Sequence, residues 1–232
     1  MRFAVIRFGG SNCDRDVQYV LSDVCGVDTD LIWYKERLLR SYDALVLPGG
    51  FSYGDYLRAG AIAARTPIMD DVTRHAANGA LVLGICNGAQ ILAESGLVPG
   101  VFTINAYPKF ICRWVRVRVE NATSPFTSEF RKGDVISIPI AHAEGRYVAP
   151  AAALASLNRA DRVAFRFCDT NGKITDGSNP NGAAENITGV LSDTGNVLAM
   201  MPHPERSSEA VLGSTDGKKI FDSMIRHIER KA

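Results

Sequence analysis

The sequence predicts an α/β fold: a largely parallel central sheet flanked by helices, with antiparallel strands inserted late in the chain. Three observations carry this reading. Short apolar runs alternate with helix-like segments through about the first hundred residues, the signature of strand–helix–strand units. The runs at 44–47 and 80–85 are solidly apolar, as strands covered on both faces must be. From Val115 onward the pattern changes to period-2 alternation and a hairpin signal, which belong to antiparallel strands.

Taken in order, residues 3–8 form the first strand. Residues 14–24 follow with helical spacing at Val17, Val20, Leu21 and Val24. Residues 30–34 and 44–47 are the second and third strands. Residues 67–77 read as a helix that opens on a proline, whose fixed φ suits the first turn. Residues 80–85 are the fourth strand, and 90–95 continue a helix that Gly96 can end. Val115, Val117 and Val119 then alternate with Arg116, Arg118 and Glu120, which predicts a half-exposed strand with a solvated arginine face. Further strands are expected at 135–140 and 163–168, and 177–182 is a loop by composition. Residues 187–191 and 197–201 flank a five-residue turn and read as a hairpin. Ile220, Phe221, Met224, Ile225 and Ile228 share one face of a last amphipathic helix. With no internal repeat or linker, residues 1–232 are expected to form one domain.

The chain has 232 residues, 46% hydrophobic and 22% charged, with a net charge of +1. That near-balance excludes a dedicated nucleic-acid binder and a protein drawn electrostatically to acidic membranes. No apolar stretch reaches the roughly 20 residues that span a bilayer, and the apolar start is too short for a signal peptide. The five cysteines, Cys13, Cys25, Cys86, Cys112 and Cys168, show no CxxC pair and no zinc-type spacing. A disulfide framework is therefore not expected, and a reducing, cytoplasmic setting is.

One thiol stands apart. Residues 80–85 run straight into Cys86, and a helix begins immediately afterwards. Gly84 and Gly88 lie at −2 and +2. This is the spacing of a strained strand-to-helix turn that projects a nucleophile, with Cys in place of Ser. The positive end of the helix favours the thiolate, the reactive form. The other four cysteines lack such a context and read as packing residues.

A nucleophile needs a base. His75 and His227 lie in helical stretches and read as surface residues. His203 follows a strand between two prolines, and Glu205 lies two residues on, able to accept from the imidazole and orient it. A metal-binding reading of His203 and Glu205 remains open, although no matching ligand set appears. The Gly49–Gly50 turn after the third strand leaves a backbone N–H free to approach a ligand. Paired with the N–H of Asn87, the Gly50 N–H would form an oxyanion hole. The residues alone fit any cysteine hydrolase on such a sheet, or a binding subunit that has lost activity.

The segments Gly84-Ile85-Cys86-Asn87-Gly88-Ala89-Gln90, Pro48-Gly49-Gly50-Phe51-Ser52-Tyr53-Gly54-Asp55 and Pro202-His203-Pro204-Glu205-Arg206 resemble the class I (triad) glutamine amidotransferases, a flavodoxin-like group. The resemblance covers the whole chain. The long segment from Gly49 to Asp55, together with Gly10-Ser11-Asn12-Cys13-Asp14 and the stretch from Ile140 to Tyr147, narrows it to the glutaminase subunits of phosphoribosylformylglycinamidine synthase. The pattern would place Pro at Gly9 or Gly10, a larger apolar residue or an aromatic at Ala89 and Gly at Ala143, so the chain departs from it at these points.

The resemblance implies hydrolysis of glutamine through a Cys86 thioester, with His203 as base and Glu205 orienting it. It suggests Gln90, His142 and Arg146 as substrate-binding residues, and no metal. It implies a large synthetase subunit and a small bridging subunit as partners, with ATP and magnesium on the synthetase and no cofactor on this chain. The absence of a phosphate-binding loop motif agrees with that division.

Overall fold

The computed structural model describes residues 1–38 and 40–231. Its frame is a nine-stranded sheet in the order β2-β1-β3-β4-β11-β10-β9-β6-β7. The parallel half comprises β1 (Arg2–Arg7), β2 (Asp28–Trp33), β3 (Ala44–Leu47), β4 (Leu81–Ile85) and β11 (Val197–Met200). The antiparallel half comprises β6 (Ile111–Val119), β7 (Val135–His142), β9 (Val163–Cys168) and β10 (Ile187–Leu191). The helices are α1 (Asp14–Tyr19), α2 (Pro67–Ala77), α3 (Asn87–Glu94), α4 (Ala151–Arg159) and α5 (Lys218–Glu229). Two three-residue strands, β5 (Val101–Thr103) and β8 (Arg146–Val148), pair as a separate small sheet.

The predicted elements are present, with local differences. The first helix is only six residues long and continues as one wide π-type turn, Val20–Val24. β6 begins earlier than the alternating valines suggest, and β7 continues past residue 140 to His142. α4, β5 and β8 were not expected, because Ala-rich and three-residue segments carry little periodic signal. Arg113 and Arg116 are exposed on β6, while Arg118 pairs with Glu120 at 2.7 Å. Among the described residues no helix is long and apolar enough to cross a membrane.

The chain leaves β1 toward β2 and returns to β3 on the other side of β1, so a topological switch point falls between β1 and β3. Ligand crevices in open α/β sheets form there, outside the carboxyl ends of the strands. The residues after β1, β3, β4 and β11 emerge together at that edge. β7 runs in the same direction and brings His142 to it.

β3, β4 and β11 are buried along their whole length, and α3 lies directly over them. That approach requires glycine. A Cβ on Gly84 would come within 2.7 Å of the Gly88 carbonyl carbon, and one on Gly88 would strike the Leu47 backbone. Gly88→Ala is therefore expected to lower unfolding free energy by about 1–3 kcal/mol in urea denaturation. Gly177→Ala, whose added methyl meets nothing closer than 3.9 Å, should change it little.

Candidate active site

Cys86 sits between β4 and α3 with φ 52 and ψ −107, a conformation that non-glycine residues rarely adopt. Its N–H donates to the Met200 carbonyl at 2.8 Å, and its carbonyl accepts from Gln90 at 3.1 Å. The backbone is thus held on both sides of the turn. The thiol donates to the Ala141 carbonyl at 3.5 Å. It opens onto a cavity of about 250 Å³ that Gly50, Asp55, Gln90, His142 and Glu144 also line.

Asn87 is the first residue of α3, so its N–H has no partner within the helix. Gly50 lies in an isolated bridge with Ser11. The neighbouring bonds run from Phe51 N–H to the Gly10 carbonyl at 2.9 Å and from Asn12 N–H to the Gly49 carbonyl at 3.0 Å. Gly50 has φ 151, and a Cβ there would collide with the Gly10–Ser11 backbone. The two loops are tied together by Ser52 N–H donating to Asn87 Oδ1 at 3.1 Å.

His203 and Glu205 are fully buried in the loop after β11. His203 N–H donates to the Pro139 carbonyl of β7 at 2.9 Å, which anchors the loop to the sheet edge. Its Nδ1 lies 2.6 Å from Glu205 Oε1, while Nε2 is buried and makes no hydrogen bond among the described residues. Nε2 is therefore the nitrogen available to a thiol proton. Burial opposes a charge on His203, but the Glu205 carboxylate and the ionised form of Cys86 outweigh it. The imidazole's pKa is held well above its ordinary value.

Cys13 departs from the packing reading. Its sulfur lies 3.9 Å from His203 Nδ1 and accepts from Arg206 Nη2 at 3.0 Å. Arg206 Nε is also 3.7 Å from Glu205 Oε1. The ligand atoms of Cys13, His203 and Glu205 come within 4.8 Å of one another, so the structure supplies the third candidate metal ligand that the sequence did not reveal. The Arg206 guanidinium on the sulfur and the short His203–Glu205 bond already use these lone pairs. The arrangement holds and orients an imidazole. The signal for Cys13 was its place just after β1, a position that faces the switch point. Cys112 is exposed and Cys25 half-buried, so of the four only Cys13 and Cys168 are buried; all five thiols are free.

The remaining expected residues separate. Gln90 reaches the cavity wall, but its amide is engaged at both ends: Oε1 accepts from Asn87 Nδ2 at 2.9 Å and Nε2 donates to the Glu144 carbonyl at 2.6 Å. It braces α3 against the loop after β7 instead of presenting a free amide. His142 is buried at the cavity. Its Nδ1 lies 3.1 Å from Asn105 Oδ1, which also accepts from Gly145 N–H at 3.0 Å. Asn105 Oδ1 is thereby an acceptor, so His142 carries its proton on Nδ1 and presents a lone pair on Nε2, which is buried and has no partner among the described residues. Burial, and then the charge of His203, push its pKa down to about 4. Arg146 is not brought to the cavity. It is exposed on β8 and donates from Nε to the Gly182 carbonyl at 3.1 Å, because alternate residues of that short strand face outward. His75, expected at the surface, is half-buried and bridges the Asp71 and Arg40 carbonyls. Asp55, which the sequence reading left without a role, lines the cavity with a buried Oδ1 that has no hydrogen-bond partner among the described residues.

Residues 1–226 match the profile of the CobB/CobQ-like glutamine amidotransferase domain. The phosphoribosylformylglycinamidine synthase subunit PurQ of Methanosarcina acetivorans is 58% identical over 228 residues, covering 98% of this chain and 98% of that protein. The PurQ subunit of Symbiobacterium thermophilum is 52% identical, covering 98% and 97%. Among solved structures, PurLQS from Thermotoga maritima superposes with a TM-score of 0.87 at 43% identity, covering 98% of each chain. A glutamine amidotransferase from Thermotoga maritima at 17% identity and TM-score 0.56, covering 100% of this chain and 85% of that one, shares the fold. With a matching profile over nearly its whole length and PurQ relatives above half identity, the chain belongs to the glutamine amidotransferase family, in the branch of phosphoribosylformylglycinamidine synthase PurQ subunits.

Proposed function

We propose that Cys86, His203 and Glu205 release ammonia from glutamine through a covalent thioester. The single observation that carries this is the strained Cys86 turn facing a buried His203 whose Nδ1 is held by Glu205 and whose Nε2 is free. The chain is the glutaminase subunit of phosphoribosylformylglycinamidine synthase, and residues 1–232 act as one glutamine amidotransferase domain.

His203 Nε2 takes the Cys86 proton as the sulfur attacks the carboxamide carbon. The N–H groups of Gly50 and Asn87 hold the oxygen as it becomes an anion, a contribution of about 3–4 kcal/mol for one such donor elsewhere. The carbon–nitrogen bond breaks, and His203 returns the proton to the departing nitrogen as ammonia. Water then attacks the glutamyl thioester, His203 taking one of its protons, and glutamate leaves with the thiol restored. Neutral His142 accepts a hydrogen bond from the substrate amide at Nε2.

Ammonia loses its nucleophilicity once protonated in bulk water, so its use requires a shielded path to the acceptor. Phe51 and Phe110 line the cavity yet are 50% and 65% exposed, an apolar rim suited to a covering subunit. That partner is the synthetase, joined by a small bridging subunit. ATP and magnesium act on the synthetase, which converts formylglycinamide ribonucleotide to its amidine in purine biosynthesis. The setting is cytoplasmic, where free thiols persist.

Cys86→Ala should abolish glutamine-dependent synthesis, a loss of about a thousandfold or more, and leave ammonia-dependent synthesis by the assembled complex intact. Intact-protein mass spectrometry of the wild type turning over glutamine should show a glutamyl adduct on Cys86. Wild type that released no glutamate even with its partners would refute the proposal. Glu205→Gln should lower the His203 pKa, because burial then acts unopposed by the carboxylate. Imidazole NMR titration would read that fall, and kcat/KM should drop by about 10²–10⁴ with it.

A further inference from the structure

The buried pair of His203 and Glu205 is incompletely matched. Glu205 Oε1 lies 2.6 Å from His203 Nδ1, but Oε2 is buried and has no hydrogen-bond partner among the described residues. A buried carboxylate in that state needs further positive charge close by. The Arg206 guanidinium supplies it, with Nε 3.7 Å from Glu205 Oε1. The Arg206 side chain is nevertheless 38% exposed, so water competes for the guanidinium and its inward pose needs a second hold.

That hold is Cys13. Its sulfur accepts from Arg206 Nη2 at 3.0 Å, the one hydrogen bond of the guanidinium among the described residues. Cys13 is itself fixed at the start of α1. Its N–H donates to the Gly49 carbonyl at 3.2 Å, and its carbonyl accepts from Val17 N–H at 3.0 Å. The sulfur also lies 3.9 Å from His203 Nδ1. Gly49 closes the rest of that side: a Cβ there would lie 2.7 Å from His203 Cε1 and 3.1 Å from the Cys13 sulfur. Loops after β1, β3 and β11 thus meet along the Nδ1–Cε1 edge of the imidazole.

We propose that Cys13 and Arg206 are positioning residues for His203: the Cys13 sulfur holds the Arg206 guanidinium against the buried Glu205 carboxylate, which in turn fixes the imidazole. The assignment rests on the glutaminase reading of Cys86 and His203 and deepens it. Neither Cys13 nor Arg206 lines the cavity over Cys86, so the clamp acts on the proton-transfer steps and leaves substrate binding alone. A hydroxyl in place of the thiol still accepts from a guanidinium, whereas a methyl group does not.

The test measures glutamine-dependent synthesis by the assembled complex, with ammonia-dependent synthesis as the control for assembly. Cys13→Ala should lower kcat for glutamine about tenfold and leave KM within about twofold, and Cys13→Ser should recover most of the loss. Arg206→Ala should lower kcat about tenfold to a hundredfold. Millimolar guanidinium chloride should restore that variant about threefold or more, where sodium chloride of equal strength does not. The double variant should lose no more than Arg206→Ala alone, because Cys13 acts through the guanidinium. Cys13→Val and Arg206→Gln take over this comparison if the alanine variants fail to fold. Unchanged kcat in both single variants, a loss carried by KM, additive losses in the double variant, or Cys13→Ser no better than Cys13→Ala would overturn the clamp while leaving the nucleophile in place. Wild type active with ammonia but inactive with glutamine would overturn the nucleophile and the clamp together.

Discussion

Cys86 holds a backbone conformation that costs a non-glycine residue about 1–3 kcal/mol, and it is kept there by contact between a strand and a helix with no room for a side chain. Gly84 and Gly88 face each other, and Gly88 lies on the Leu47 backbone of β3. β3 and β11 clamp β4 from both sides, and Met200 accepts from the Cys86 N–H. The turn cannot relax without separating α3 from the sheet. Because it cannot, the thiol stands clear at the carboxyl edge and the Asn87 N–H is left free beside it.

The same edge gathers every other part of the site. Loops after β1, β3, β4, β7 and β11 converge there, and they are joined to one another as well as to their strands. Ser52 bonds Asn87, Asn87 bonds Gln90, and Gln90 bonds the Glu144 carbonyl, so one polar chain runs from the loop after β3 through α3 to the loop after β7. His203 is anchored independently, through its N–H on the Pro139 carbonyl. A site built on fixed elements in this way holds its groups ready before substrate arrives.

Two histidines at this edge, His142 and His203, are both buried, and their pKa values move in opposite directions. His203 has a carboxylate 2.6 Å from Nδ1, and the attraction exceeds the burial cost. His142 has a neutral amide oxygen there, and the charge of His203 adds to its burial, so it stays neutral. One imidazole is thereby biased toward its charged form and the other toward its neutral form. The distinction depends on which group faces Nδ1.

Several features were legible in the residues themselves. The glycines at −2 and +2 around Cys86, the proline-flanked His203 with Glu205 two positions on, and the solidly apolar β3 and β4 are local patterns whose physical meaning travels with their spacing. The short β5 and β8 and the Ala-rich α4 were not legible, because three residues or a run of alanines carry no usable period. Nor were the roles of residues whose function depends on their neighbours. Gln90 and Arg146 have the right chemistry for substrate, but one is engaged as a brace and the other faces away. Cys13 and Asp55 carry no local mark, yet the sheet order brings Cys13 to His203 and Asp55 to the cavity. Sequence alone determined the class of fold and singled out Cys86, His203 and Glu205, because each is encoded by spacing along the chain. Only the tertiary structure decided which side chains meet across loops 35 to 193 residues apart, because burial and pairing arise from strand order.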